Sequence, residues 1–229
     1  MKLEKVINYE FNKTEIENSI GELQSKIYKT DYDYKTLRNL KSELEEIHIL
    51  KHLNNRTDIV SIEYMKDLTS ERVDRKLSRD EYKQNKLNQV GIDLIVETEK
   101  DWIEVDMKVL NYREKSQGRI YNGKANILYG VDSLVFQIMG KRDKGWANDR
   151  YKQTKVLMIY IPQVKCLYEI NYRKLCDWLN SKINNKEIDK SRCIIYSKGR
   201  GINRYQEIVV SVPIDEIPRG VLVEIHKIN

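Results

Sequence analysis

Two short apolar runs constrain the fold more than anything else in this chain: Gly91-Ile92-Asp93-Leu94-Ile95-Val96 and Trp102-Ile103-Glu104-Val105-Asp106-Met107-Lys108-Val109. Both are rich in branched residues and are separated by the polar turn Thr98-Glu99-Lys100-Asp101, the pattern of a β-hairpin. In the second run Ile103, Val105, Met107 and Val109 share one face, and Trp102, Glu104, Asp106 and Lys108 share the other. Three charges on one face of a core strand are costly unless something pairs with them. A hairpin centred on Glu99-Lys100 sets Asp93 directly opposite Asp106, an arrangement that strand pairing alone disfavours. A divalent cation held between the two carboxylates would favour it, and Lys108 lies on the same face within reach. The pattern has the form of a metal site.

These residues resemble the PD-(D/E)xK nucleases, the restriction-endonuclease-like phosphodiesterases. That family places an acid at the end of one strand and an acid-x-Lys triplet on the next. Asp93 matches the first acid and Asp106-Met107-Lys108 the triplet, while Ile92 stands where the family name has proline. The resemblance covers the hairpin closely and the flanking order of elements loosely. It implies that Asp93 and Asp106 hold Mg²⁺, with Mn²⁺ able to substitute, that the main-chain carbonyl of Met107 adds a ligand, and that Lys108 serves the attacking water. It also implies a glutamate from the helix before the sheet, for which Glu43 is the candidate.

The rest of the chain is consistent with an α/β protein, with a mixed central sheet flanked by helices and a helical hairpin at the N-terminus. Thr14-Glu15-Ile16-Glu17 reads as a capping box, followed by Ile16, Ile20, Leu23 and Ile27 at helical spacing. Asp31-Tyr32-Asp33-Tyr34 reads as a turn before a second helix, about Lys35 to Leu53, with the stripe Leu37, Leu40, Leu44, Ile47 and Leu50 or Lys51. Glu43 flanks that stripe, ~60° off its centre, whereas Glu45 and Glu46 are expected to face solvent. Strands are expected at 58–64, at Ser133 to Met139 between two glycines, at Val156 to Ile161 before Pro162, at Cys193 to Tyr196, at Ile208 to Val212 and at Gly220 to His226. Asn171 is positioned to cap a helix carrying Leu175, Cys176, Trp178, Leu179 and Ile183. The charged stretch Lys66 to Gln89 reads as mostly solvated helix.

Residues 1–229 read as a single nuclease domain, divided into N-terminal helices (1–55), a core sheet (56–163) and a C-terminal helix with strands (164–229). A net charge of +6 suits a polyanionic partner. Basic residues among aromatics and glycines offer phosphate contacts at Arg113, Lys115, Arg119 and Lys124, at Arg142 and Lys144, and at Lys198, Arg200 and Arg204. The loop carrying the last three reads equally as a plain hairpin turn. Cys166, Cys176 and Cys193 include no C-x-x-C pair and read as reduced core thiols. No run has the length of a signal peptide or membrane span, so a cytoplasmic protein without membrane contact is expected. No phosphate-binding Gly-x-x-x-x-Gly-Lys-Ser/Thr loop is present, so no nucleotide cofactor is expected.

The function these features suggest is a metal-dependent endonuclease acting on double-stranded DNA, a homodimeric type II restriction enzyme first. A phage or plasmid recombination or junction-resolving nuclease shares the same core. An inactive nucleic-acid-binding module is the rival from another class.

Overall fold

The computed structural model describes residues 8–64, 92–110, 132–140, 145–188, 192–198 and 205–228. The chain starts with two helices, α1 (Asn8–Ser25) and α2 (Asp31–Asn55), packed against each other. The predicted capping box at Thr14 lies inside α1, so Thr14 does not start the helix. The working box is at Thr30. Its hydroxyl accepts from the Asp33 amide at 3.1 Å, and the Asp33 carboxylate accepts from the Thr30 amide at 2.9 Å. The residues read as a turn, Asp31 to Tyr34, are therefore the first turn of α2. Lys26 donates to the same carboxylate at 2.7 Å. That bond, with those from Thr30, holds the Asp33 carboxyl well below the usual range and fixes the α1–α2 corner.

Strands β1 (Ile59–Tyr64), β2 (Leu94–Thr98), β3 (Trp102–Val109), β5 (Val156–Ile161), β6 (Cys166–Asn171) and β9 (Leu222–Lys227) form one sheet in the order β1-β2-β3-β5-β6-β9. β3 and β5 run parallel, and every other neighbouring pair is antiparallel. A second sheet has the order β4-β8-β7, built from β4 (Ser133–Met139), β7 (Cys193–Lys198) and β8 (Tyr205–Pro213). β6 was not foreseen from the sequence. The chain turns back through Pro162–Val164 and Lys165, whose φ of 49° closes the corner, and Cys166 then pairs with Ile161. Tyr172–Asn184 forms α3, with the Asn171 side chain accepting from the Lys174 amide as expected.

The protein is thus a mixed α/β fold whose central sheet, mostly antiparallel, has helices on both faces. The alternation of β3 and β5 assigns each face its partner. Val105, Met107, Met158 and Tyr160 pack with Ile49 and Leu53 of α2, together with Leu94 and Val96. On the other face Leu157, Ile159 and Ile161 pack with Tyr172, Leu175 and Leu179 of α3 and with Leu134, Phe136, Val210 and Val212 of the second sheet. Leu134, Phe136, Leu157, Ile159, Ile161, Tyr172 and Leu175 are wholly shielded from water. Burying each Leu, Ile or Phe contributes roughly 1.5–3 kcal/mol relative to exposure. The three cysteines are free, Cys166 and Cys176 in the core. No helix among the described residues is long and apolar enough to cross a membrane.

Candidate active site

The β2–β3 register pairs Leu94 with Val105 and Glu97 with Trp102, so Asp93 follows on to face Asp106, as the hairpin reading requires. Regular pairing stops at Leu94. Beyond it the Asp93 amide donates to the Val105 carbonyl at 2.8 Å, while its carboxylate accepts from the Met107 amide at 2.7 Å. A side chain thus replaces the main-chain acceptor at the point where β2 leaves β3. The end of β3 opens there, and Asp93, Asp106 and Lys108 meet at the opening.

Asp106 is 1% exposed, and each of its oxygens has a cationic partner. The Lys108 ammonium donates to Oδ1, and the Lys152 ammonium lies 2.9 Å from Oδ2. Lys108 also donates to the Met107 carbonyl at 2.8 Å and stands 3.8 Å from Asp93 Oδ2. Two acids and two lysines therefore share one site, with the Met107 carbonyl facing into it.

Their titration is driven apart. Burial pushes the Asp93 carboxyl up to about 6; the neighbouring Asp106 charge adds to this and Lys108 opposes it. Burial acts to raise Asp106 too, but Lys108 and Lys152 outweigh it and hold Asp106 below the usual carboxylate range. Lys108 is pulled down by burial and pushed up more strongly by Asp106 and Asp93, with a smaller push from Glu46, so it stays charged. Neighbouring carboxyls with separated pKa values recur where a site does acid–base or metal chemistry.

The strand face shows how its charges are tolerated. Trp102, at the hairpin end of β3, is exposed; the Glu104 carboxylate is paired with Lys155 at 3.1 Å; Asp106 has the two lysines. Lys152 and Lys155 come from the segment entering β5. Parallel pairing of Val105 with Val156 brings that segment alongside Glu104 and Asp106. Lys152 was not singled out from the sequence; the available signal was a basic residue four positions before the buried run that opens at Val156.

The Lys152 segment is firmly held. The Tyr172 hydroxyl, on a side chain with no solvent exposure, lies 2.7 Å from the Trp146 carbonyl and 2.9 Å from the Asp149 carbonyl. Arg173 donates to the Arg150 carbonyl at 2.7 Å, and Asn180 to that of Asn148 at 3.2 Å. Gly145 lets the segment press on β4, because a Cβ there would stand 1.8 Å from the Gln137 carbonyl oxygen.

Glu43 is exposed on α2, and α2 packs on the Val105–Met107 face of the sheet, opposite the face bearing Asp106. The sheet-facing side of α2 runs through Ile49, Leu53 and the partly buried Leu50, with Glu46 one turn earlier, and Ile47 is buried as well. Glu46, expected to face solvent, is half-buried, and its charge acts weakly on Lys108. Arg113, Lys115, Arg119, Lys124, Arg142, Lys144, Arg200 and Arg204 lie outside the described residues, as does the Lys198 side chain and the charged stretch Lys66 to Gln89. Comparison with family models, with curated proteins and with solved structures finds no match.

Proposed function

We propose that this chain is a metal-dependent phosphodiesterase acting on double-stranded DNA, an endonuclease with a restriction-endonuclease-like core. The carrying observation is the convergence of Asp93 and Asp106 where β2 leaves β3, with Lys108 donating to both Asp106 and the Met107 carbonyl. Two carboxylates and a carbonyl form the hard oxygen set that suits Mg²⁺, with Mn²⁺ as a substitute. The two ammonium groups now occupy the positions next to these oxygens, so the donors fit a cation. When bound, such an ion would neutralise charge developing on the phosphate and make a water more acidic.

The remaining work falls to the chain's own groups. Asp106 anchors the site as the ionised acid. Lys108, kept charged by the acids, orients a water and offsets negative charge at the phosphate. Asp93, with its raised pKa, is the group able to exchange a proton near neutral pH. Lys152 holds the second Asp106 oxygen and adds charge on the same side. Cutting both strands of a duplex calls for two such sites related by a two-fold axis, so a homodimer of type II restriction character is the form we favour.

The test is incubation of the purified chain with plasmid and phage DNA in Mg²⁺, Mn²⁺ or chelator, beside Asp106→Asn. Discrete fragments that need metal and vanish with the substitution are expected. A metal-dependent smear, or cleavage confined to branched DNA, would reassign the role to recombination or junction resolution. Retarded but intact DNA under every condition would refute the enzyme and leave a binding module.

A further inference from the structure

A second place in the central sheet repeats the unfavourable pairing seen at Asp93 and Asp106. On β6 and β9, Glu169 pairs directly with Glu224, and His226 is two residues on from Glu224. Carboxylates directly opposite each other destabilise a sheet unless a positive charge lies between them. The His226 Nε2 atom lies 3.5 Å from Glu169 Oε2 and 3.7 Å from Glu224 Oε2. It is buried and has no hydrogen-bond partner. One donor atom from each of the three residues lies within 4.8 Å of the other two.

These spacings are too long for hydrogen bonds. Two ligand atoms bound at ~2.0–2.2 Å to a tetrahedral ion stand ~3.3–3.6 Å apart, close to the 3.5 and 3.7 Å from His226 to the two carboxylates. The surroundings also favour a cation. The cluster lies on the α2 face near the C-terminal end of that helix, where the helix dipole is negative. Arg56 is the nearby competitor, at 3.4 Å from Glu169 Oε2, but its shorter bonds of 3.0 and 2.8 Å go to Asp58. The His52 ring of α2 lies tilted at 44° with its centroid 4.3 Å from that of His226, and its Nε2 is likewise buried without a hydrogen-bond partner. Glu224, with a side chain 64% exposed, leaves a path from solvent.

We propose that Glu169, Glu224 and His226 bind a divalent transition ion of the Zn²⁺ class, which clamps edge strand β9 to β6 beneath α2. One imidazole with two carboxylates suits Zn²⁺, Co²⁺ or Ni²⁺ better than Mg²⁺, which prefers an all-oxygen shell. The site is on the opposite face of the sheet from Asp106, so it serves stability, and its existence does not depend on the nuclease assignment.

The test uses the full chain carrying Asp93→Asn, which removes a carboxylate ligand from the other site, stripped with chelator and titrated with Co²⁺. One equivalent is expected to bind with visible d–d absorption, paramagnetically shifted imidazole protons and a raised melting temperature. His226→Ala should abolish these signals. Glu224→Gln, at an exposed position that folding tolerates, should weaken binding about a hundredfold. Absence of imidazole signals in the parent, or unchanged Co²⁺ affinity in Glu224→Gln, would overturn the site. DNA cleavage by the unsubstituted chain bears only on the other proposal.

Discussion

At the residue scale, Asp93 carries the clearest pH consequence. Its folded pKa of about 6 lies above the ordinary 3.8, so ionising it is harder in the folded chain than in the unfolded one. That cost is fully present above pH 6 and disappears as pH falls towards 3.8. The difference of about 2 units corresponds to at most ~3 kcal/mol. Without metal, denaturation should therefore show a gain in stability between pH 6 and pH 4 from this group. Asp106, held low by its lysines, contributes stability that is lost only below that window. Asp93→Asn should flatten the slope and raise the melting temperature at pH 7. An unchanged slope would mean that Asp93 titrates normally. Mg²⁺ competes with the same proton, so its apparent affinity should fall about tenfold per pH unit below 6.

Lys152 gives a second residue-scale prediction. Removing one partner of a buried ion pair costs ~3–5 kcal/mol, because the charge left behind is uncompensated. Lys108 still faces Asp106, so Lys152→Met should cost the lower end of that range in chelator, and Mg²⁺ should recover part of it. Denaturant melts with and without metal measure both effects. Failure of Mg²⁺ to restore anything would argue that no cation enters beside Asp106. For the α2 glutamates, Glu46→Gln should slow cleavage more than Glu43→Gln, since the Glu46 charge acts on Lys108 and Glu43 is exposed.

At the element scale, the site depends on a segment that belongs to none of its strands. The stretch from Gly145 to Lys155 is tied to α3 by Tyr172, Arg173 and Asn180, and it presses on β4 through Gly145. Gly145→Ala places a methyl group into the Gln137 carbonyl, and relief requires the segment to lift off β4. A loss of about 3 kcal/mol is expected from such overpacking, with Lys152 drawn away from Asp106. Thermal melting and cleavage rate should fall together. A variant that melts normally would show that the segment yields without strain. β3 itself was fully legible, Trp102 to Val109, because its alternation is strict and each face has its own core. α2 was legible as a helix and in part of its buried side: Ile47 is buried and Leu40, Leu44 and Leu50 are half-buried, but Ile49 and Leu53, which seat the helix on the sheet, lay outside the stripe read from the sequence.

At the scale of the whole molecule, the net charge of +6 and the acidic centre have separate jobs under the proposed function. Cations away from Asp93 and Asp106 would carry affinity for DNA, and the acids would carry the chemistry. In chelator, binding to duplex DNA should weaken steeply with salt, by ~0.9 logarithmic units per decade for each phosphate contacted. Asp106→Asn should leave that slope unchanged. A flat salt dependence would remove the polyanion as partner.

The sequence alone determined the hairpin, its register and the meeting of Asp93 with Asp106. These rest on a two-residue period and a short turn, both local, and a slip of one residue would have turned Asp106 into the α2-side core. It also determined the Asn171 cap and most strand positions, for the same reason. Only the tertiary structure decided which cations neutralise Asp106, which glutamate of α2 acts on Lys108, and that β9 closes the sheet beside β6. Those depend on the parallel neighbour of β3, on the rotation of a helix about its axis and on the pairing of strands more than fifty residues apart. No local period records such choices, because each is set by how distant apolar faces pack together.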